Sequence, residues 1–554
     1  MVKRTFGINP NIIKADTVIY NTVFYCDSNK GESEHMSFNK SNLKKGLPKE
    51  TLSLCPECKK IVTATIYEKD GKVLMKKTCE EHGEFDDVYW SDVDMYLKAE
   101  EWAYDGKGVD NPKITDAKVC PNDCGLCQLH LSHTCLALID LTNRCNLKCP
   151  ICFANANAAG YVFEPSYDDI VRMMENLRAE RPVPCKALQF AGGEPTIHPR
   201  FMDVVAKAKE LGFAQIQVAT NGLKMVDLDF CQKMRDAGMN TIYLQFDGLR
   251  EQDYVAARGR NLLDLKLKVV ENCKKTKPKP LSTVLVPTVV KTINDDQVGE
   301  IVKYAVKNAE VIRGVNFQPV SFTGRIDKEQ LENQRYTIPD LIHDLEKQTN
   351  FLKKEDFYPV PLVAPISDLV SILSDREEIT FSAHPHCGYA TFVFINKGKV
   401  TPIPRFVDVE GLFTKMEDLS KKAKKFKVLI KLYRTVKKKH DIAKTFDKYF
   451  GEFIDKNKMP KGLDIMEILS NIASEKDKKA VGKFTWKTMM IGAMHFQDAY
   501  NYDIERVKRC VIHYATPDDR IIPFCAYNGG PTFRTEVEKK FSTPLEEWRK
   551  THKE

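Results

Sequence analysis

The sequence lacks any apolar run long enough to cross a bilayer, although it has 554 residues. Its basic start, MVKRTFGINPN, is not followed by the apolar stretch of a secretory signal peptide. Both absences argue against a membrane-spanning or secreted protein and predict a cytoplasmic location. A chain of this length can form roughly two to four domains and bury a large core.

Most of the chain has no excess of positive charge, although the net charge of the whole chain is +8. Residues 415–448 hold thirteen Lys and Arg against four Asp and Glu, so the remainder is close to neutral. In this basic segment, apolar residues recur at helical spacing: Phe426, Leu429, Ile430, Tyr433 and Val436. A basic amphipathic helix fits an anionic lipid surface and predicts peripheral membrane contact, although a solvated helix packed on the core fits equally well. No RNA-binding motif accompanies the segment, and we expect no nucleic acid partner.

Cysteine, by contrast, is plentiful, with 17 residues. Disulfides are not expected in a reducing compartment, and clustered intracellular cysteines are typical of metal or iron–sulfur ligands. We expect Cys185, Cys231 and Cys273 to be buried apolar residues. Nine others form three short clusters: Cys55, Cys58 and Cys79; Cys120, Cys124 and Cys127; and Cys145, Cys149 and Cys152.

A small metal domain is predicted for residues 51–100, after a flexible N-terminal segment at 1–50. The runs IVTATIYE and KVLMKKT flank a KDG turn, which is a hairpin signal. Cys55 and Cys58 precede this hairpin, and Cys79 and His82 follow it. Four such ligands suit one structural, tetrahedral ion, either zinc or a rubredoxin-like iron.

Residues 136–325 alternate between strand-like and helix-like segments, which predicts a parallel α/β array. One helix-like segment begins at Ser166, with Asp169 three residues later, in the layout of a capping box. Several strand-like runs end in Gly, Asn or polar residues, as the active-site ends of α/β barrels do. The six strand-like runs are residues 135–143, 187–193, 214–222, 241–248, 282–290 and 314–321.

Three thiols, at Cys145, Cys149 and Cys152, follow the first of these strands in CNLKCPIC. A structural ion wants four ligands, whereas three thiolates can bind three irons of a [4Fe–4S] cube and leave the fourth iron open. The second strand ends in AGGEP. Together these motifs resemble the radical S-adenosylmethionine (SAM) superfamily, which implies a partial (β/α)6 barrel and radical chemistry. The resemblance also implies contacts to SAM from Gly192, Gly193, Glu194, Asn221, Gln245 and Asp247, with Arg258 as a partner for its carboxylate.

Almost the same spacing occurs upstream in CPNDCGLC, within residues 101–135. We interpret Cys120, Cys124 and Cys127 as ligands of an auxiliary cluster, with Cys135 as the nearest fourth ligand. A zinc knuckle completed by His130 or His133 is the alternative. Residues 326–554 are predicted to form a mostly helical C-terminal region of α+β type. Its Cys387, Cys510 and Cys525 could hold another auxiliary cluster or be isolated core residues.

The order of all these motifs closely resembles the archaeal tetraether lipid synthases. That resemblance implies three [4Fe–4S] clusters, SAM and one mononuclear iron or zinc. It implies joining of the terminal carbons of two phytanyl chains of an archaeal diether phospholipid, with an electron donor such as a ferredoxin. Two alternatives stay open. One is a radical SAM methylase, for example one that acts on a pterin, or another radical SAM modifying enzyme. The other is a non-catalytic iron–sulfur electron carrier.

Overall fold

The computed structural model describes residues 41–374, 377–425, 449–461, 463, 488–531 and 533–552. The chain divides into two compact units, of which the smaller comprises described parts of 363–378 and 406–481. Of the segment predicted to be flexible (1–50), residues 1–40 lie outside the described ranges, as do Phe426 to Val436 of the basic segment. The last two residues of segment 1–50, Lys49 and Glu50, instead begin a strand. Within those ranges no helix is both long and apolar enough to span a bilayer.

The first sheet of the larger unit is a four-stranded antiparallel ribbon. Its strands follow chain order: β1 (Lys49–Leu54), β2 (Ile61–Lys69), β3 (Lys72–Cys79) and β4 (Gly83–Trp90). The turn from β2 to β3 is Asp70–Gly71, both with positive φ, as a two-residue hairpin turn requires. The predicted hairpin is therefore confirmed, and its side chains Ile66, Val73 and Met75 are fully buried.

A second, larger sheet follows. Its members run in the order β13-β14-β16-β12-β10-β9-β8-β7-β5-β17-β18, with β11 beside β12 and β15 beside β14, while β6 pairs with β19. The strands are β5 (Leu136–Thr142), β6 (Tyr161–Phe163), β7 (Ala187–Gly192), β8 (Gln215–Thr220), β9 (Thr241–Gln245), β10 (Ser282–Val286), β11 (Thr288–Val289), β12 (Ile312–Pro319), β13 (Tyr358–Pro359), β14 (Gly388–Asn396), β15 (Lys399–Pro402), β16 (Thr488–Met494), β17 (Ile512–Ala515), β18 (Ile521–Pro523) and β19 (Ser542–Pro544).

The six strands expected from the sequence are β5, β7, β8, β9, β10 and β12, and they pair in parallel. Parallel strands put their carboxyl ends at one edge, so the residues after β5, β7, β8 and β9 are brought together there. That edge carries the cysteine loop and AGGEP. The α/β class is confirmed, whereas curvature of this sheet into a partial barrel stays a prediction.

Helices connect the strands and cover the sheet. In Tyr167–Arg178, the residues Ile170, Met173, Met174 and Leu177 form one buried stripe, and Ser166 and Asp169 complete the expected capping box. Cys185, Cys231 and Cys273 are fully buried, as expected. The other helices of the larger unit are Val93–Glu101, Phe201–Glu210, Leu228–Ala237, Glu251–Arg258, Leu263–Lys275, Val298–Lys307, Leu331–Gln334, Ile338–Gln348, Ile504–Lys508, Phe524–Gly529, Phe533–Lys540 and Leu545–Thr551.

The expectation of a separate, mostly helical region at 326–554 needs correction. Described segments of it join the same sheet, because β16 pairs in parallel with β12 and β17 pairs in parallel with β5. These strands cover two edges that would otherwise expose unpaired backbone groups. The smaller unit, taken alone, is helical: Ala364–Ser374 packs on Val409–Lys425, which includes the start of the basic segment.

Candidate functional site

The loop of Cys145, Cys149 and Cys152 is held at both ends by backbone hydrogen bonds. At its start, the N–H of Cys145 donates to Asn157 Oδ1 at 2.9 Å, and Asn157 Nδ2 donates back to the Cys145 carbonyl at 2.8 Å. At its end, Cys152 and Arg325 exchange two N–H···O bonds of 2.9 Å. The loop has no regular secondary structure, so these bonds fix where its thiols lie.

The glycine pair of AGGEP passes directly against this loop. A β-carbon at Gly192 would lie 2.3 Å from the Thr142 carbonyl oxygen, and one at Gly193 would lie 2.2 Å from that of Arg144. Gly192 also has a φ of +120°, a backbone angle that residues with a side chain rarely adopt. Glycine is therefore required here for close approach, since the Gly193 N–H donates to the Thr142 carbonyl at 2.7 Å.

Glu194 is buried and joins the ends of β7 and β8. Its carboxylate accepts hydrogen bonds from the Thr196 hydroxyl at 2.5 Å, the Thr220 hydroxyl at 2.8 Å and the Asn221 backbone N–H at 2.8 Å. Asn221 in turn donates from Nδ2 to Asn146 Oδ1 at 2.7 Å, and this nitrogen lies 3.8 Å from the Cys145 sulfur. Direct contact of these residues with SAM stays a prediction.

Asp247 and Arg258 form a buried ion pair beside the loop. Arg258 Nε and Nη2 donate to the two Asp247 carboxylate oxygens at 2.8 and 2.7 Å. Arg258 Nη1 donates to the Ile151 carbonyl, between Cys149 and Cys152, at 3.0 Å. The structure therefore commits most of this guanidinium to protein partners, and its expected pairing with the SAM carboxylate stays a prediction.

Lys266 is the site residue that the sequence reasoning missed. Its side chain is fully buried, and Nζ donates to the Asn221 carbonyl at 2.5 Å and to Gln245 Oε1 at 2.9 Å. A signal was present, because Lys266 shares a helical face with Val269, Val270 and Cys273, all buried. A lysine in an apolar stripe indicates a buried amine with polar partners.

The three loop thiols are half-buried neighbours. Burial raises the pKa of Cys145 to about 12, with further contributions from the negative charges of Glu194, Cys149 and Cys152. Burial also raises the pKa of Cys149, opposed by the adjacent Arg258 guanidinium. Such thiols become thiolates when a metal ion replaces their protons, which is the state that binds iron.

The ribbon places four ligand atoms around one point. Cys55 Sγ lies 3.7 Å from His82 Nδ1, Cys58 Sγ lies 3.8 Å from Cys79 Sγ, and Cys79 Sγ lies 3.5 Å from His82 Nδ1. Tetrahedral zinc with bonds of about 2.3 Å keeps its sulfur ligands about 3.8 Å apart, so the set fits one ion. Among the described residues, only this group of Cys, His, Asp and Glu is close enough to share a single ion.

Cys124, Cys135 and Cys525 lie in one hydrophobic cluster, and Cys120, Cys387 and Cys510 pack against it. Burial raises the pKa of Cys124 strongly, and the neighbouring Cys120, Cys127 and Cys510 raise it further. Cys510 in turn has a pKa raised by burial and by the nearby Cys525 and Cys387. Cys510 therefore adjoins both groups that the sequence had separated.

Donors from the protein also point at the C-terminal thiols. Arg506 Nε donates to Cys387 Sγ at 3.4 Å, and the Gln497 N–H donates to Cys525 Sγ at 3.4 Å. N–H donors to sulfur are a way in which proteins adjust iron–sulfur clusters. Cys135, the expected fourth ligand, instead donates its thiol to the Thr380 carbonyl at 3.2 Å.

The two histidines of the zinc-knuckle alternative have other partners. His130 Nε2 lies 2.8 Å from the Cys510 carbonyl oxygen and 3.1 Å from His513 Nε2. His133 Nε2 accepts the Thr380 N–H at 3.1 Å. Each contact uses Nε2 only, and a metal-bound histidine commonly has its other ring nitrogen in a hydrogen bond, so both the auxiliary cluster and the zinc knuckle stay predictions.

A cavity of about 570 Å³ adjoins the cysteine loop. Its walls include Pro150 and Ile151 of the loop, with Ile293, Ile326, Arg325 and Asp327. Small-molecule sites have volumes of roughly 300–1,000 Å³ and combine apolar walls with a few polar groups. The loop thus borders a space of the size of a small-molecule site.

Two families match parts of the chain. Residues 139–305 match the radical SAM superfamily, and residues 47–91 match the HMPTM N-terminal zinc ribbon domain. The first match begins within β5 and contains the cysteine loop, AGGEP and the Asp247–Arg258 pair. The second coincides with the four-stranded ribbon. The zinc ribbon and the radical SAM domain are thereby confirmed.

Individual proteins are also similar. A 7,8-dihydro-6-hydroxymethylpterin dimethyltransferase of Methanocaldococcus jannaschii is 51% identical over 523 residues, which cover 92% of this chain and 98% of that protein. A tungsten-containing aldehyde ferredoxin oxidoreductase cofactor-modifying protein of Pyrococcus furiosus is 28% identical, covering 36% of this chain and 58% of that protein. A solved structure of SuiB from Streptococcus suis bound to S-adenosylmethionine has a TM-score of 0.30 and 18% identity, over 39% of this chain and 47% of that one.

The expectation of a tetraether lipid synthase is wrong. The relative that matches nearly the whole chain is a pterin dimethyltransferase, which agrees with the methylase alternative and not with coupling of lipid chains. The motifs behind that expectation lie in the parts of the chain that match a radical SAM domain and a zinc ribbon, and such motifs do not specify the substrate. Peripheral membrane contact stays a prediction.

Proposed function

We propose, because this chain belongs to the radical SAM superfamily, that it methylates a reduced pterin related to 7,8-dihydro-6-hydroxymethylpterin. The observation that carries this choice of substrate is the 51% identity to the Methanocaldococcus jannaschii dimethyltransferase over 92% of this chain and 98% of that protein. In this proposal SAM serves both as the radical source and as the methyl donor.

The residues at the carboxyl edge of the sheet have separate roles in this proposal. Cys145, Cys149 and Cys152 would hold the [4Fe–4S] cluster, which supplies the electron that cleaves SAM to methionine and a 5′-deoxyadenosyl radical. Gly192 and Gly193 bring the backbone against the loop, where a larger residue would clash. The chain's task is then to orient one C–H bond and to exclude water from it.

The cavity beside the loop supports a heterocyclic substrate. Apolar walls from Ile151, Ile293 and Ile326 suit the faces of a flat ring, and Arg325 and Asp327 suit its polar edge. Arg325 Nε is buried and has no hydrogen-bond partner within the described chain. A saturated hydrocarbon in this cavity would leave such polar groups without a hydrogen-bond partner, which would make the free energy of binding less favourable.

We further propose two auxiliary [4Fe–4S] clusters and one mononuclear zinc or iron in the ribbon. Cys510 and five cysteines near it support the auxiliary clusters: Cys120, Cys124, Cys127, Cys387 and Cys525. Because Cys510 lies near both groups, it could be a ligand of either cluster. A one-electron donor such as a ferredoxin would reduce the SAM-binding cluster.

The experiment is anaerobic turnover with mass spectrometry. The full chain with reconstituted clusters is given a strong reductant, SAM carrying a deuterated methyl group, and 7,8-dihydro-6-hydroxymethylpterin. We expect a pterin that carries one or two labelled methyl groups, together with 5′-deoxyadenosine and S-adenosylhomocysteine.

The matched control is the Cys149→Ala variant, which keeps the ribbon and the auxiliary cysteines. It should form neither 5′-deoxyadenosine nor labelled pterin. Formation of 5′-deoxyadenosine by the unaltered chain without methylated pterin would overturn the substrate while leaving the radical SAM chemistry intact.

A further inference from the structure

A continuous chain of buried hydrogen bonds runs beneath the predicted SAM-binding edge. It begins where Lys266 Nζ donates to the Asn221 carbonyl at 2.5 Å and to Gln245 Oε1 at 2.9 Å. Gln245 Nε2 then donates to Asp247, and Asp247 receives the two-pronged bond from Arg258. The chain thus links the ends of β8 and β9.

Both ends of this chain reach the cysteine loop. At one end, Asn221, whose carbonyl binds Lys266, donates its side-chain amide to Asn146 at 2.7 Å, next to Cys145. At the other end, Arg258 donates to the Ile151 carbonyl at 3.0 Å, next to Cys152. The loop is therefore held near its first and third cysteines by one connected set of side chains.

Lys266 is the member of this set whose burial is most unfavourable, because its ammonium group loses its hydration. Its side chain is fully buried, and its two acceptors are the neutral oxygens of Asn221 and Gln245. Burial lowers the pKa of its ammonium to about 7. A methionine of similar length would pack in the same helical stripe without that desolvation cost, so stability alone does not account for a lysine here.

We propose that Lys266 is a positioning residue that acts through Gln245, Asp247 and Arg258. It holds the Asn221 turn and the Ile151 carbonyl at the spacing that the cluster and SAM together require. Without its amine the Asn221 carbonyl and the Gln245 amide lose a shared donor, and Gln245 can rotate away from Asp247. This proposal rests on the radical SAM chemistry and is independent of the methyl acceptor.

The test compares Lys266→Met with Lys268→Met, which alters an exposed lysine on the same helix. Both full-length variants are reconstituted anaerobically and given SAM and reductant without a pterin, so that 5′-deoxyadenosine is the product measured. Losing a hydrogen bond to a charged group predicts a SAM dissociation constant raised about tenfold for Lys266→Met. We expect the KM for SAM to rise more than kcat falls, with iron content unchanged.

The paramagnetic resonance spectrum of the reduced cluster gives a second readout. When SAM is added, the spectrum of the Lys268→Met variant should change to that of a single cluster environment. The spectrum of Lys266→Met should instead show a mixture of environments. Gln245→Leu keeps the amine and breaks the chain one step later, and it should show the same direction of change if Lys266→Met fails to fold. The proposal would be overturned if either variant bound SAM with a dissociation constant within twofold of that of Lys268→Met and gave the same single-species spectrum.

Discussion

Replacing Gly193 by alanine is a sharp test of how the cysteine loop is positioned. The new β-carbon would lie 2.2 Å from the Arg144 carbonyl oxygen and 2.9 Å from that of Asn143. Both oxygens belong to backbone, so no flexible side chain can move aside. The segment that leads into Cys145 must therefore shift.

The size of this shift follows from ordinary contact distances. A β-carbon is essentially never found closer than 3.0 Å to another heavy atom, so the gap of 2.2 Å must open by nearly 1 Å. The Arg144 carbonyl also accepts the Glu194 N–H at 2.9 Å, so the same movement disturbs AGGEP. A misplacement of about 1 Å near reacting groups can lower a rate about 100-fold.

The assay is formation of 5′-deoxyadenosine by the reconstituted Gly193→Ala variant, with iron counted in the same sample. The control is Gly160→Ala, whose φ is also unfavourable for alanine at +73° but whose β-carbon would meet nothing within 4 Å. We expect the rate to fall between about tenfold and 100-fold in Gly193→Ala only. A rate within twofold of the control, with a full cluster, would show that the glycine does not set the loop position.

Four further outcomes are expected. Arg335→Met leaves the carboxylate of Asp498 buried without its cation and should cost about 3–5 kcal/mol in the free energy of unfolding, which Asp498→Asn should partly restore in a denaturation series. Cys58→Ser should remove the mononuclear metal, and not cluster iron, in elemental analysis. Ser166→Ala removes a helix cap and should lower the free energy of unfolding by about 1 kcal/mol. Burial raises the pKa of Glu180 to about 7, against about 4.3 unfolded, so the folded chain binds the extra proton and stability should fall as pH rises across that window; Glu180→Gln should flatten this dependence.

The parts of the fold that local sequence determines were predictable. Alternating apolar runs identified the six parallel strands, and turn residues identified the ribbon hairpin, because both signals lie within a few consecutive residues. Ligand spacing identified the ribbon site for the same reason. Cys55, Cys58, Cys79 and His82 are brought together by one hairpin.

Features made by distant segments were not predictable. Pairing of β17 with β5 joins Ile512 to Leu136, and no local pattern encodes a partner that far away in the sequence. The same holds for Cys510, which adjoins both auxiliary groups. Lys266 had a local signal but no local partner, since its acceptors lie at the ends of β8 and β9.

The error about the substrate has a related physical origin. The cysteine loop and AGGEP lie in the part of the chain that matches the radical SAM superfamily, and the ribbon matches a zinc ribbon domain. A relative named for pterin methylation aligns over 92% of this chain. The order of these motifs therefore identifies the radical chemistry without identifying the molecule that loses a hydrogen. Substrate choice depends on cavity walls, and here residues from the cysteine loop, from the turn after β11 and from the segment after β12 meet in one wall. Because these residues are scattered in sequence and come together only in the fold, whole-chain similarity and cavity chemistry are better guides to the substrate than the motifs.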